Sequence, residues 1–287
     1  MSFSSDIKEE LGRQYSKSRH CQMAELAGMI ELEGQIDPAS GTLFFRAENP
    51  ILIEKYAILM RRVFDLDISK SISVEDTRHI METFKWTELE GATTNNLMLQ
   101  NTCCKRAFIR GVFLAAGSMS DPNKSYHFEI VCHTIEQAKQ VQEVMRSFDT
   151  DAKVVERKGH QVVYLKEGSQ IVDMLNVMEA YVALMNLENV RILKEVRNSI
   201  NRKVNCETAN INKTVNAAVK QVEDIEFLRD RVGLDNLPEN LREMAFLRLE
   251  YPEATLKELG GYLDPPVGKS GVNHRLRKLS AMAEDLR

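Results

Sequence analysis

The segment KSGVNHRLRKL, residues 269–279, gathers within three helical turns the side chains that read nucleic acid. At about 100 degrees per residue, Val272, Leu276 and Leu279 fall within about 60 degrees of one another, and Ser270, His274, Arg277 and Lys278 project the opposite way. Asn273 and Arg275 flank that polar face. Arg can bridge the acceptor edge of guanine, Asn can pair with adenine, and Lys and His can meet phosphate. Thr255, Lys257 and Lys269, at the starts of the last two helices, complete the candidate DNA-binding set. A basic amphipathic helix can equally be a solvated or partner-binding face; the agreement of caps, spacing and charge favours DNA.

A second concentration of positive charge lies upstream. Between Arg191 and Lys220 there are seven basic residues against two acidic ones, in a chain whose net charge is -4. The same stretch carries Asn198, Asn201, Asn205, Asn210 and Asn212, dense for a helical pattern because Asn is a poor helix former. Amides and guanidiniums together can contact bases and phosphates, which makes Arg197, Asn201 and Arg202 candidates. A solvated helix with Asn205 or Thr208 capping a break fits the composition equally.

The elements that must hold these groups are marked by punctuation. Over LPENLREMAFLRLEYPEATLKELGGYLDPPVGKSGVNHRLRKLSAMAEDLR three helices are expected. Pro252 stops the first, Thr255 with Glu258 forms a capping box for the second, Pro265 and Pro266 stop it, and Ser270 caps the third. The pattern is a helix-turn-helix candidate, with the connection LDPPVGK longer than the usual tight turn. Upstream, Ile211, Val215, Ala218, Val222 and Ile225 predict a helix packed along one face and ended by Gly233.

The totals bound the rest. A chain of 287 residues, 43% hydrophobic and 28% charged, is expected to form two ordered domains. The five cysteines (Cys21, Cys103, Cys104, Cys132, Cys206) are odd in number and lack a C-x-x-C pair. Free thiols in a reducing cytoplasm are expected, with no zinc, no other metal and no cofactor. Cys103 and Cys104 read as small buried residues opening a helix rather than as a redox pair. No long apolar run and no targeting segment is visible, so a cytoplasmic protein without a membrane partner is expected.

The first half of the chain repeats itself. LAGMIELEG, residues 26–34, returns as IRGVFLAAG, residues 109–117, with Gly117 placed 83 positions after Gly34. After each glycine come a hairpin (through Pro38–Gly41 and through DPNK), an amphipathic helix and two further strand candidates. The strand candidates are LDISKSISV with METFKWTEL in the first half, and AKVVER with QVVYLKE, joined by Lys158 to His160, in the second. Ala27, Gly28, Gly111, Ala115 and Ala116 leave bare backbone on the motif helices, which predicts a close seam between the halves.

This arrangement resembles the LAGLIDADG homing endonuclease fold, in which two αββαββ units form a saddle on DNA. The resemblance implies that one acid from each motif end binds catalytic metal. Here the first motif offers Glu33 and the second offers Ala116, whose methyl ligates nothing. Glu25 and Glu31 do not lie on the second motif, and Asp121 falls in a turn beyond Gly117. Hydrolysis is therefore not expected; the alternative is a metal-dependent site-specific endonuclease or nickase that retains Glu33. Asp65, Asp67, Glu75, Asp76, Glu82, Glu88 and Glu90, read as strand residues of the first half, make that surface acidic, which suits a protein-binding or scaffolding role better than phosphate.

With both ends read, the chain resembles the WhiA family of bacterial sporulation and cell-division transcription regulators. The resemblance rests on KRAFIRGVFLAAGS with DPNKSYHFEIVC, RNSINRKVNCETANINKTVNAAVKQ, LRLEYPEATLKELG and KSGVNHRLRKL. It implies binding to double-stranded promoter DNA without cleavage, with RNA polymerase or its sigma factor as a further partner and the nucleoid as location. It carries the reading role onto Ser270, Asn273, His274, Arg275, Arg277 and Lys278. The expected fold is α+β: a pseudo-two-fold LAGLIDADG-like domain over 1–180, a basic Asn-rich helical linker over 181–233, and an all-α helix-turn-helix domain over 234–287.

Overall fold

The computed structural model describes residues 2–69 and 72–287. It divides into two compact units, Met1–Glu195 and Val196–Arg287. In the first unit the order is α1 (Phe3–Gly12), α2 (Arg19–Glu33), β1 (Gly34–Ile36), β2 (Leu43–Phe45), α3 (Pro50–Phe64) and α4 (Val74–Phe84). It continues with α5 (Thr102–Ala116), β3 (Gly117–Met119), β4 (Phe128–Cys132), α6 (Ile135–Arg146), β5 (Lys153–Arg157), β6 (His160–Leu165) and α7 (Gly168–Met178). Helix α8 (Tyr181–Arg231) crosses the division, and the second unit adds α9 (Glu239–Glu250), α10 (Leu256–Gly261) and α11 (Lys269–Asp285).

The duplication is visible in the first four elements of each half, helix, strand, strand and helix. Motif helices α2 and α5 both end at a glycine in extended conformation, Gly34 (φ -77°) and Gly117 (φ -85°), and the chain passes directly into a strand. The two helices form the predicted seam. A Cβ at Gly28 would sit 2.9 Å from the Phe108 carbonyl oxygen, and one at Gly111 would strike the carbonyl oxygen of Glu25. Only hydrogen at these two positions lets the backbones come this close.

In the second half all four expected strands form, in the antiparallel order β3-β4-β6-β5. Ile130 pairs with Gly117 on one side and Val163 on the other. Lys158 and Gly159, both at positive φ (52° and 80°), make the tight turn between β5 and β6.

The first half departs from the expected pattern. Its sheet has the two strands β1 and β2 only. The described residues of LDISKSISV are coil and turn apart from Val74, which opens α4, with Lys70 and Ser71 outside the described residues; METFKWTEL begins inside α4 and runs on into a loop. The reason is local. Ser73 Oγ accepts from the Asp76 N–H at 3.0 Å while Asp76 accepts from the Ser73 N–H at 3.1 Å, and Thr77, Ile80 and Phe84 then fall on one buried helical face. The expected acidic strand surface is thus a loop and a helix, on which Asp65, Asp67, Glu75, Glu82, Glu88 and Glu90 remain exposed.

Each unit has its own apolar core. That of the first runs from Ile7 and Leu11 on α1 through Phe108, Phe113 and Phe128 to Met174. That of the second joins Ile225 and Leu228 of α8 to Met244, Leu259, Val272, Leu276 and Leu279. The expectation that α8 packs from Ile211 onward holds only at its end: Ile211 is 61% and Val215 52% exposed, and every residue from 195 to 217 is exposed. No break occurs at Asn205 or Thr208; the helix is continuous. No helix among the described residues is long and apolar enough to cross a membrane.

Candidate nucleic-acid interface

The three C-terminal helices follow the predicted punctuation with two corrections. Thr255 Oγ1 accepts from the Glu258 N–H at 3.3 Å, and the Thr255 N–H donates to Glu258 Oε2 at 2.8 Å. The capping box is complete, and the hydrogen bonds from Thr255 hold the Glu258 carboxyl below its usual range. Ser270, however, does not cap α11. The cap is Gly268, without a side-chain bond, and Ser270 is the second residue of the helix. The second helix ends at Gly261, before Pro265 and Pro266 are reached.

Packing sets the aim of α11. Val272, Leu276 and Leu279 are buried as expected, which turns Ser270, His274, Arg277 and Lys278 to solvent. Asn273 and Arg275 are half-buried at the flank, and Arg275 Nη1 lies 4.0 Å from Glu243 Oε2 on α9. Lys257 and Lys269 are exposed. A groove of about 990 Å³ brings Thr255, Lys257, Lys269 and Asn273 together with Lys213 of α8. His274, Arg277 and Lys278 lie outside its lining, as do Arg197, Asn201 and Arg202, which are exposed on α8. The second unit has 15 basic and 14 acidic residues, so attraction for an anion must come from their placement and not from net charge.

Two residues that the sequence reading passed over hold this arrangement. Arg248 of α9 is buried and donates to the carbonyls of Pro252 (3.2 Å) and Ala254 (2.8 Å), fastening the turn into α10; burial pushes its pKa down. Lys220 of α8 bonds Glu284 of α11 at 2.8 Å. The Lys220–Glu284 pairing has no local sequence signal, because tertiary packing alone brings together residues 64 positions apart; the Arg248 bonds are local, to carbonyls four and six positions along the chain.

The motif ends carry one acid. Glu33 is half-buried, and desolvation raises its carboxyl above the usual range, offset in part by His133, Lys8 and Arg46. Lys8, from α1, is one of the positive charges acting on it. Ala116 is half-buried beside the core and offers no oxygen.

The other acids are committed elsewhere. Glu25 is fully buried and bonded to Lys55 Nζ (2.6 Å) and Arg110 Nε (3.0 Å), and Arg110 in turn donates to Glu179 (2.9 Å) and to the Ser16 hydroxyl (2.9 Å). Glu31 accepts from the Thr94 N–H (3.1 Å) and hydroxyl (2.9 Å), and burial raises its pKa to about 8.

A LAGLIDADG-like domain followed by a helix-turn-helix domain defines the class. Residues 105–197 match the family model described as the WhiA LAGLIDADG-like domain, and residues 200–283 that described as the WhiA C-terminal HTH domain. "Probable cell division protein WhiA" of Lachnoclostridium phytofermentans is 49% identical over 312 residues, covering 100% of this chain and 100% of that one. Its counterpart from Alkaliphilus oremlandii is 47% identical over 313 residues, covering 100% and 98%. The crystal structure of full-length DUF199/WhiA from Thermatoga maritima matches with a TM-score of 0.60 at 26% identity, over 99% of each chain. The chain belongs to the WhiA family.

Proposed function

We propose that the protein is a sequence-specific regulator of transcription that binds double-stranded promoter DNA of cell-division or sporulation genes and does not cut it. The observation that carries this reading is the outward face of α11: His274, Arg277 and Lys278 are exposed while the opposite face is locked in the core. An exposed Arg277 guanidinium suits a guanine edge, and Lys278 and the lysines of the groove suit phosphate. Arg197, Asn201 and Arg202 extend the contact along α8. The motif ends bind no catalytic ion in this reading, because Ala116 supplies no ligand opposite Glu33.

The relatives' name, cell division protein, supports the process. The exposed acids of residues 65–90 suit a protein partner, RNA polymerase or its sigma factor, and the location is the cytoplasmic nucleoid.

Fluorescence anisotropy with a promoter fragment selected by genome-wide occupancy tests the reading. Lys278→Ala should weaken binding to every duplex and reduce the salt slope by about 1, and Arg277→Ala should cost about 1–3 kcal/mol on the cognate site alone. Wild-type binding by both variants would show that α11 is not the reading helix. In the same preparation, supercoiled plasmid with magnesium or manganese should stay intact; nicking that disappears in Glu33→Gln would establish the nuclease instead.

A further inference from the structure

Motif helices α2 and α5 open on His20-Cys21 and Cys103-Cys104. The 83-position offset that relates Gly34 to Gly117 carries His20 onto Cys103 and Cys21 onto Cys104, so both pairs occupy equivalent places at the start of the paired helices. The close seam at Gly28 and Gly111 then brings them together. One ligand atom from each of the four residues lies within 4.8 Å of all the others. His20 Nδ1 is 3.1 Å from Cys104 Sγ and 3.4 Å from Cys21 Sγ. A tetrahedral zinc ion with ordinary bond lengths needs its sulfur and nitrogen ligands about 3.5–3.8 Å apart.

We propose that His20, Cys21, Cys103 and Cys104 form a Cys3His site for one zinc-class divalent ion, which staples the N-terminal ends of the two motif helices. Three thiolates and an imidazole are the soft donor set that favours zinc over magnesium or calcium. Binding replaces the three thiol protons, which leave to solvent. Four protein ligands fill the tetrahedron and leave no position for substrate, so the ion is structural and separate from Glu33. Cys21 and Cys104 are buried and anchor the inner side, and His20 and Cys103 are exposed and give the ion a way in. The exposure of Cys103 also corrects the reading of the vicinal pair as two buried residues. Linear spacing hides such a site, because it has no C-x-x-C and each helix supplies only half.

The test uses the full-length chain, purified under reducing conditions, treated with chelator and titrated with Co2+ and then Zn2+. One Co2+ per chain should bind with the strong visible bands of tetrahedral thiolate coordination, and Zn2+ should displace it. Cys103→Ser, whose side chain is exposed and outside the core, should abolish the bands, as should His20→Gln; Cys206→Ser, on the exposed part of α8, should keep them. Zn2+ should raise the melting midpoint of the wild type and not that of Cys103→Ser. Folded wild type that takes up no Co2+, or uptake unchanged in Cys103→Ser, overturns the proposal. So does a Cys21–Cys104 disulfide in protein handled without reductant, if the reduced chain then fails to bind Co2+.

Discussion

At the residue scale, buried charge decides which acids can act. Glu31 is held in a site that favours its neutral form, with burial raising its pKa from 4.5 to about 8 against the opposing bonds from Thr94. Between those values the folded chain keeps a proton that the unfolded chain has released. The stability this contributes is fully present below pH 4.5 and is lost as pH rises through about 8. Urea unfolding at several pH values should show the wild type losing stability across this window, and Glu31→Gln should flatten the decline. An equally steep decline in the variant would mean that another group titrates. The sequence displayed Glu31 and Glu25 as spare acids near the motif, but not their partners: Arg110 lies 85 positions from Glu25, and Lys55 arrives from a third helix. No periodicity announces such pairings, whereas Ala116 at a motif end could be read directly from the spacing.

At the element scale, legibility followed local chemistry. Thr255 and Glu258 stand three apart before an apolar run, and their capping box forms as written. Thr255→Ala should cost about 1 kcal/mol, read as a lower urea midpoint of the second unit, and weaken DNA binding by loosening the start of α10. Unchanged affinity would mean that α10 only buttresses α11. The same chemistry explains the strand error in the first half. Ser73 and Asp76 form an equivalent box, with Asp in place of the usual Glu or Gln, and it opens a helix where two strands were expected. For Ser270, by contrast, a residue type suited to capping sits two places too late, because Gly268 already starts the helix.

At the scale of the whole molecule, two separate cores predict two separately perturbable units. The single tryptophan, Trp86, is buried in the first. Leu276→Ala should cost about 2–5 kcal/mol in the second core. Circular dichroism and DNA affinity should register that loss, and the Trp86 fluorescence midpoint should stay where it is. A matching shift in the fluorescence transition would show that the cores melt as one. The sequence divides the chain after 180 and after 233, whereas the two compact units meet between Glu195 and Val196, inside the continuous helix α8, where no proline or glycine marks a boundary.

The bare stretch of that helix, residues 195–217, has a thermodynamic corollary. With no side of it packed, its hydrogen bonds are sustained by helix propensity alone, and five asparagines among residues 198–212 keep that propensity low. Local fraying there disturbs neither core, so backbone amides in this stretch should exchange with deuterium soonest. A polyanion laid along Arg197 and Arg202 would then supply the rigidity the protein itself withholds, and part of the binding free energy would be spent on ordering.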